Sequence, residues 1–316
     1  MNITDFSHDH ITEAAALALF SYEEERRQAP ALPPVETIPD LSGFADSNLS
    51  VAAFENGTMI GFLCFYAPWD HAFTTTARGT FSPIHAHGTV NRHSEMIYKR
   101  LYQAAAEKLI RMKVSSHAIG LYAHDAQAIN AFFTYGFGLR CIDAIRPMEM
   151  INCAPCDGYV FHELAPDEKD KLLPLKNMLI SHLGDSPTFM RFPAMDKTGL
   201  EKIHNRRKPR YFCAFQNDET IAFLEVMDNG ENFTCSDKSM KNICGAFCLP
   251  EHRGKGVYQN LLNLTISTLK GEGYTRLGVD FESFNPTAYG FWLKYFTAYT
   301  YGVVRRIDER IFEMDT

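Results

Sequence analysis

Arg253, Gly254, Lys255 and Gly256 place two cations and two glycines in four consecutive residues. They follow an apolar run at 246–249 closed by Pro250, and they precede Val257, Tyr258, Leu261, Leu262, Leu264 and Leu269, which recur at helical spacing. The pattern reads as strand, tight turn and amphipathic helix. The first N–H groups of a helix have no internal partner, and the helix dipole favours negative charge there. A glycine-lined helix start beside two cations therefore suits a phosphate or pyrophosphate. Taken alone, Arg-Gly-Lys-Gly is also an ordinary surface turn. A nucleoside-triphosphate loop is disfavoured by the short glycine spacing and by the lack of Ser or Thr after Lys255. A dinucleotide fingerprint is disfavoured because no Gly-x-Gly-x-x-Gly follows a first strand.

The turn continues into an extended run at 276–281, then Asn285, Ala288, Phe291 and Trp292. This series resembles the acetyl-CoA-binding core of the GCN5-related N-acetyltransferase (GNAT) superfamily. In that family an Arg/Gln-x-x-Gly-x-Gly/Ala turn takes the CoA pyrophosphate, which here matches Arg253, Gly256 and Tyr258. The resemblance implies acetyl-CoA as co-substrate, held by Phe247, Cys248 and Leu249, by Arg253, Gly254, Lys255, Gly256, Val257 and Tyr258, and by Asn285, Ala288 and Phe291. It departs at two positions: Tyr258 stands where glycine or alanine is usual, and Trp292 stands where many relatives carry a tyrosine that protonates the leaving thiolate. No general acid is assigned.

Acetyl transfer to an amine needs a neutral nucleophile, so a lysine-like ammonium of pKa ~10 must first lose a proton. Glu282, Asp280 and Glu225 are the candidate bases. Asp280 and Glu282 alternate with Val279 and Phe281 along an extended run, and so share one face. Glu282 is placed first, because it stands nearest the strand end and Asn285. Each of the three is also readable as a paired or solvent-facing strand carboxylate. The oxyanion is assigned to a backbone N–H within 247–249.

The chain has 316 residues, is 46% hydrophobic and 22% charged, and carries a formal net charge of −7, which suits globular domains and disfavours nucleic acid or an anionic membrane surface as partner. It lacks an ~18-residue apolar run and a signal-peptide start, so a cytoplasmic protein is expected. Cys153 and Cys156 have redox or zinc spacing, but no second ligand pair follows at zinc spacing; a linker is expected there, with no metal. His85 and His87 share a strand face but lack a third ligand, and are read as partly buried or surface histidines.

In order, the chain reads as a helix at 4–28, a hairpin of 49–55 and 59–66 about Asn56-Gly57, an extended run at 80–86, a helix at 97–112, a strand at 118–122, a helix at 126–135 and a strand at 139–146. A shift of 160 positions lays Ile97 on Val257, Tyr98 on Tyr258, Leu101 on Leu261, Leu109 on Leu269, Ile119 on Val279 and Ala128 on Ala288 without a gap. A second hairpin, 210–216 and 220–226 about Asn217-Asp218, matches the first. The chain is therefore expected to hold two tandem α/β domains, 1–152 and 157–316, each a mostly antiparallel mixed sheet flanked by helices. The first lacks the glycines, since His93, Ser94 and Met96 fall on Arg253, Gly254 and Gly256, while Asp125 falls on Asn285. A strand at 159–164, a helix at 167–182 bent near Pro174, and a loop at 183–193 whose Phe189, Met190, Arg191 and Phe192 form an acceptor-site lip complete the second. Its aromatics are expected to pack. The expected activity is acetyl transfer to a small amine or a protein amino group. A CoA-binding sensor without turnover and a dimerisation protein without ligand are the rivals, and a homodimer is compatible with either reading.

Overall fold

The structure, a computed structural model, describes residues 1–313. Two compact units form: Met1–Ile142 with the described residues from 298 onward, and Asp143–Thr297.

The first unit runs β1 (Asn2–Asp5), α1 (Ile11–Gln28), α2 (Ser42–Ala45), β2 (Val51–Glu55), β3 (Thr58–Leu63), β4 (Gly79–Ser82), β5 (His87–Thr89), α3 (Ser94–Arg111), β6 (Ser116–Tyr122) and α4 (Ala126–Thr134), and β7 (Gly138–Pro147) leads out of it. The hairpin turns where Asn56 and Gly57 supply positive φ, at 52° and 80°. The chain does not start as a helix: β1 pairs antiparallel with β2, so helix begins only at Ile11. The run at 80–86 is likewise extended only as far as Ser82. Strands β1, β2, β3 and β5 form one sheet, and β4 pairs in parallel with β6. Leu101, Tyr102 and Leu109 of α3 meet Ile119 and Leu121 of β6 and Phe132 of α4 in a closed core.

The second unit contains β8 (Val160–Glu163), α5 (Leu173–Gly184), α6 (Lys197–Arg207), β9 (Arg210–Gln216), β10 (Glu219–Met227), β11 (Met240–Cys248), α7 (Val257–Gly271), β12 (Arg276–Glu282) and α8 (Pro286–Tyr295). Sheet order is β12-β11-β10-β9-β8, antiparallel except for β11 with β12. Pro174 lies in the first turn of α5, where a missing N–H costs nothing, and does not bend the helix; a 3₁₀ turn, Pro166–Leu172, precedes it. Leu172 and Leu175 bury against Tyr211, Cys213, Phe223 and Phe247.

The division by packing differs from the division by repeat because of the last strand, β13 (Thr297–Arg306). It pairs antiparallel with β6, from Thr300↔Tyr122 to Arg306↔Ser116, and thus completes the first unit.

Candidate functional site

The parallel ladder of β11 and β12 runs from Met240↔Arg276 to Ile243↔Val279, yet β11 continues to Cys248 and β12 to Glu282. A bulge at Cys244 accompanies the parting, since Val226 faces Ile243 while its neighbour Glu225 faces Gly245. Beyond it one edge of β11 is released. Leu249 N–H donates to Ile221 O at 3.0 Å, so by the two-residue period the backbone groups turned to the released edge are those of Ala246 and Cys248. An oxyanion donor within 247–249 therefore narrows to Cys248 N–H.

The turn after β11 ends in Gly256, the N-cap of α7, at φ 81°, and Gly254 also has positive φ, 73°. Both conformations are ones that L side chains adopt only with strain. No side chain caps α7, which leaves its first N–H groups for a ligand. Arg253 folds back along the strand: Nε donates to Cys248 O at 2.9 Å and the guanidinium lies 5.4 Å from the Phe247 ring centre. The segment around the Cys-x-x-Cys is fastened alongside by Asn263, which bonds both N–H and C=O of Ile151, and by Asn260 on Ala154 O, while Cys156 Sγ reaches Lys255 O at 3.3 Å.

A cavity of about 410 Å³ adjoins the released edge and the turn. Of the residues expected to hold acetyl-CoA, Phe247, Cys248, Arg253, Gly254, Tyr258, Asn285, Ala288 and Phe291 line it. Leu249, Lys255, Gly256 and Val257 do not: Val257 is core, Lys255 is exposed and Gly256 caps the helix. Sequence reading missed Leu179 and His182, which α5 brings to the cavity, and His252, whose Nδ1 lies 2.9 Å from Tyr159 Oη. Tertiary packing brings Leu179 and His182 to the site, whereas His252 adjoins Arg253 in the turn itself. Asn285 is the N-cap of α8, with Oδ1 accepting from Ala288 N–H and from Thr287 Oγ1. Trp292 is 3% exposed and packed edge-on against Phe296, Phe291 and Tyr258. Tyr258 Oη donates to Phe223 O at 3.0 Å, and burial holds its hydroxyl well above the usual phenol range. Tyr295 also lines the cavity, whereas Tyr289 packs on Phe281. In the loop at 183–193 Phe189 is 74% exposed at φ 50°, which corrects the expectation of packed aromatics; Phe192 is half-buried.

The three carboxylates share one face of the sheet. Met227 and Glu225 pair with Asn242 and Gly245, and a Cβ on Gly278 would strike Asn242 Oδ1 at 2.4 Å, so Asp280 and Glu282 follow on that side by alternation. None of the three lines the cavity itself. Burial, with Asp143, Glu231 and Glu282 nearby, pushes Asp280 up to about 8. Glu225 is paired at 2.6 Å with Lys176, both groups buried.

In the first unit the matching place is filled. His87, which the shift lays on Phe247, is 2% exposed; Nε2 lies 2.6 Å from Gly120 O and Nδ1 3.1 Å from Tyr98 Oη. Burial depresses this imidazole to about 4, so it is neutral: Nε2–H donates to Gly120 O, and Nδ1 accepts from Tyr98. His93 caps α3 in the left-handed region at φ 60°, as Gly256 caps α7, and Asp125 caps α4 as Asn285 caps α8. The two copies share their backbone plan and differ in what lines it.

Residues 177–296 match the model of the acetyltransferase (GNAT) family. A search of curated protein sequences finds no match. Among solved structures, a GCN5-related N-acetyltransferase from Sphaerobacter thermophilus superposes over 96% of this chain and 95% of its own at 9% identity, with a TM-score of 0.57. A glucosamine N-acetyltransferase region in a fungal multidomain GH3 β-N-acetylglucosaminidase superposes over 96% of this chain and 38% of its own at 14% identity, with a TM-score of 0.52. Among the described residues no helix is long and apolar enough to cross a membrane. The fold is that of the GNAT proteins, and the match to the acetyltransferase (GNAT) family model lies within the second unit, at residues 177–296.

Proposed function

We propose that the second unit binds acetyl-CoA and transfers its acetyl group to an amine, in the cytosol. The observation that carries this is the coincidence of three features: the parting of β11 and β12 after Ile243 and Val279, the released backbone edge of β11, and the uncapped, glycine-lined start of α7 at its end. Such an edge supplies backbone groups to an amide-rich arm, and such a helix start takes a pyrophosphate. The first unit, with His87 bonded across its strands, is assigned no CoA. A single CoA per chain is the titration result this reading requires, and two equivalent sites would refute it. Thiol release from acetyl-CoA across an amine panel tests transfer.

Trp292 favours one alternative, a CoA-binding sensor without turnover, because a buried indole offers no hydroxyl to the departing sulfur. A thiolate leaves without much protonation near neutral pH, so transfer remains the reading of choice. A sensor would bind CoA and release no thiol above background for any amine.

A further inference from the structure

Tyr211, Glu225 and Gly245 lie side by side across β9, β10 and β11, in register, on the face that α5 covers. Into this row α5 inserts Lys176, 7% exposed, whose Nζ donates to Glu225 Oε2 at 2.6 Å and stands 5.3 Å from the ring centres of Tyr211 and Phe223. A buried carboxylate alone would take up a proton and cease to accept one; an ammonium in contact keeps it charged. Among the described residues Glu225 Oε1 accepts no hydrogen bond. Gly245, where β11 begins its released edge, leaves room for this carboxylate, since a Cβ there would come within 2.7 Å of Oε2. The other ionisable groups near Glu225 are Tyr211 on β9 and Cys244 on β11, and burial raises both, so Lys176 is the cation in contact.

We propose that Glu225 is the base for the acceptor amine and that Lys176 is a positioning residue, whose ammonium holds Oε2 beside Gly245 and leaves Oε1 to accept the proton. This rests on the acetyl-transfer reading above. The acceptor ammonium gives one proton to Oε1 directly or through a water. Its nitrogen then forms the C–N bond to the thioester carbon, and the C–S bond breaks. The second nitrogen proton goes to the departing thiolate, and Glu225 returns its proton to solvent. Asp280 is the weaker candidate, because it sits among carboxylates that oppose its ionisation.

The test uses the full chain with acetyl-CoA and three named acceptors, n-butylamine, 1,4-diaminobutane and Nα-acetyl-lysine amide, with water as the fourth nucleophile. Glu225→Gln is expected to lower kcat/KM by roughly 10²-fold or more at every pH near neutrality. Lys176→Met is expected to lower it by about tenfold or more at pH 7, with the acidic limb of the profile moved to higher pH, and Lys176→Arg to restore both within about threefold. The double variant Lys176→Met with Glu225→Gln should be no worse than Glu225→Gln alone, because Lys176 acts only through Glu225. Its charges are removed together, so it also reports whether the fold tolerates the change, and CoA affinity by calorimetry should stay within about threefold in all four. An unmoved limb in Lys176→Met, additive losses in the double variant, or a Glu225→Gln that keeps more than about a tenth of the activity overturns the assignment. A wild-type chain that releases thiol to none of the four nucleophiles overturns acetyl transfer itself.

Discussion

Reversing the charge at Arg253 is the most direct probe of the anion-binding turn. In the absence of ligand the side chain makes one hydrogen bond, to Cys248 O, and one cation–ring contact, with Phe247. Losing both costs about 1–2 kcal/mol of stability, or roughly 2–8 °C in Tm for a domain of this size, so the Arg253→Glu chain remains folded. Against a pyrophosphate the loss is larger. A charge-assisted bond is worth about 1.5–3 kcal/mol, and a carboxylate ~8 Å from a phosphate at an effective dielectric of ~20 adds about 2 kcal/mol of repulsion per charge, reduced by salt. The sum, about 3.5–5 kcal/mol, corresponds to a loss of roughly 10³-fold in CoA affinity. Arg253→Gln keeps a donor, forfeits only the charge assistance, and should lose about 10–100-fold. Calorimetric titration of the three chains with CoA at two salt concentrations reads both, with the wild type weakening most as salt rises. A Glu variant within about tenfold of wild type, or equal losses in Glu and Gln, would sink the assignment of this turn to the pyrophosphate.

Other outcomes follow from the same geometry. Glu282→Gln, assayed like Glu225→Gln, should lose less than about tenfold in kcat/KM; a loss of ~10² with CoA affinity intact would return the base to Glu282. Asp280 is raised to about 8 in the fold, above its unfolded value, so the folded chain holds a proton that the unfolded chain has lost; the stability this contributes is present at low pH and declines as pH rises from ~4 towards 8, by up to ~1.4 kcal/mol per unit. Asp280→Asn should remove that slope in urea unfolding between pH 5 and 8. His85, His87 and His117 are each depressed to about 4 by burial, so the unfolded chain takes up their protons first. Stability is then lost as pH falls from ~6.5 to 4, with a slope approaching three protons, about 4 kcal/mol per unit, and a slope below one proton would count against neutral buried imidazoles. His87→Phe, which copies the residue at the matching place in the second unit, leaves Gly120 O without its donor and should cost about 1–3 kcal/mol by denaturant titration without creating a second CoA site.

Local chemistry made much of this fold readable. Asn56-Gly57 declares a hairpin because few other pairs accept two positive φ angles, and the apolar spacing of Val257, Leu261, Leu262 and Leu269 declares the helix that carries the turn. The partner of a strand is a different kind of fact. The strand at 297–306 pairs with the strand at 116–122, which is buried along its whole length, and that choice of partner is made by tertiary packing. The helix at 197–207 leaves little trace in the sequence for a related reason. Only Leu200 in it is buried, so it has almost no apolar stripe to detect, and its local signals are the Asp196 cap and the basic last turn of His204, Arg206 and Arg207.

The two departures from the family pattern, Tyr258 and Trp292, looked independent in the sequence, thirty-four positions apart. In space they are one arrangement. The rings stand 6.1 Å apart and nearly perpendicular, with Phe291 edge-on to both. A tyrosine in place of the usual small residue fills the floor beneath α8, and its hydroxyl needs an acceptor there, which the carbonyl of Phe223 on β10 provides. With that volume occupied by a ring, the neighbouring position favours an aromatic partner over a second phenol, whose hydroxyl would be buried among Tyr258, Phe291 and Phe296 with an acceptor still to find. The cavity therefore presents rings where a small residue and an acid are expected, and its polar chemistry moves to its rim at Arg253, Asn285 and the released edge of β11. The carboxylate proposed above as the proton acceptor also lies outside the cavity lining, on the α5 face, where Lys176 and Glu225 are held together.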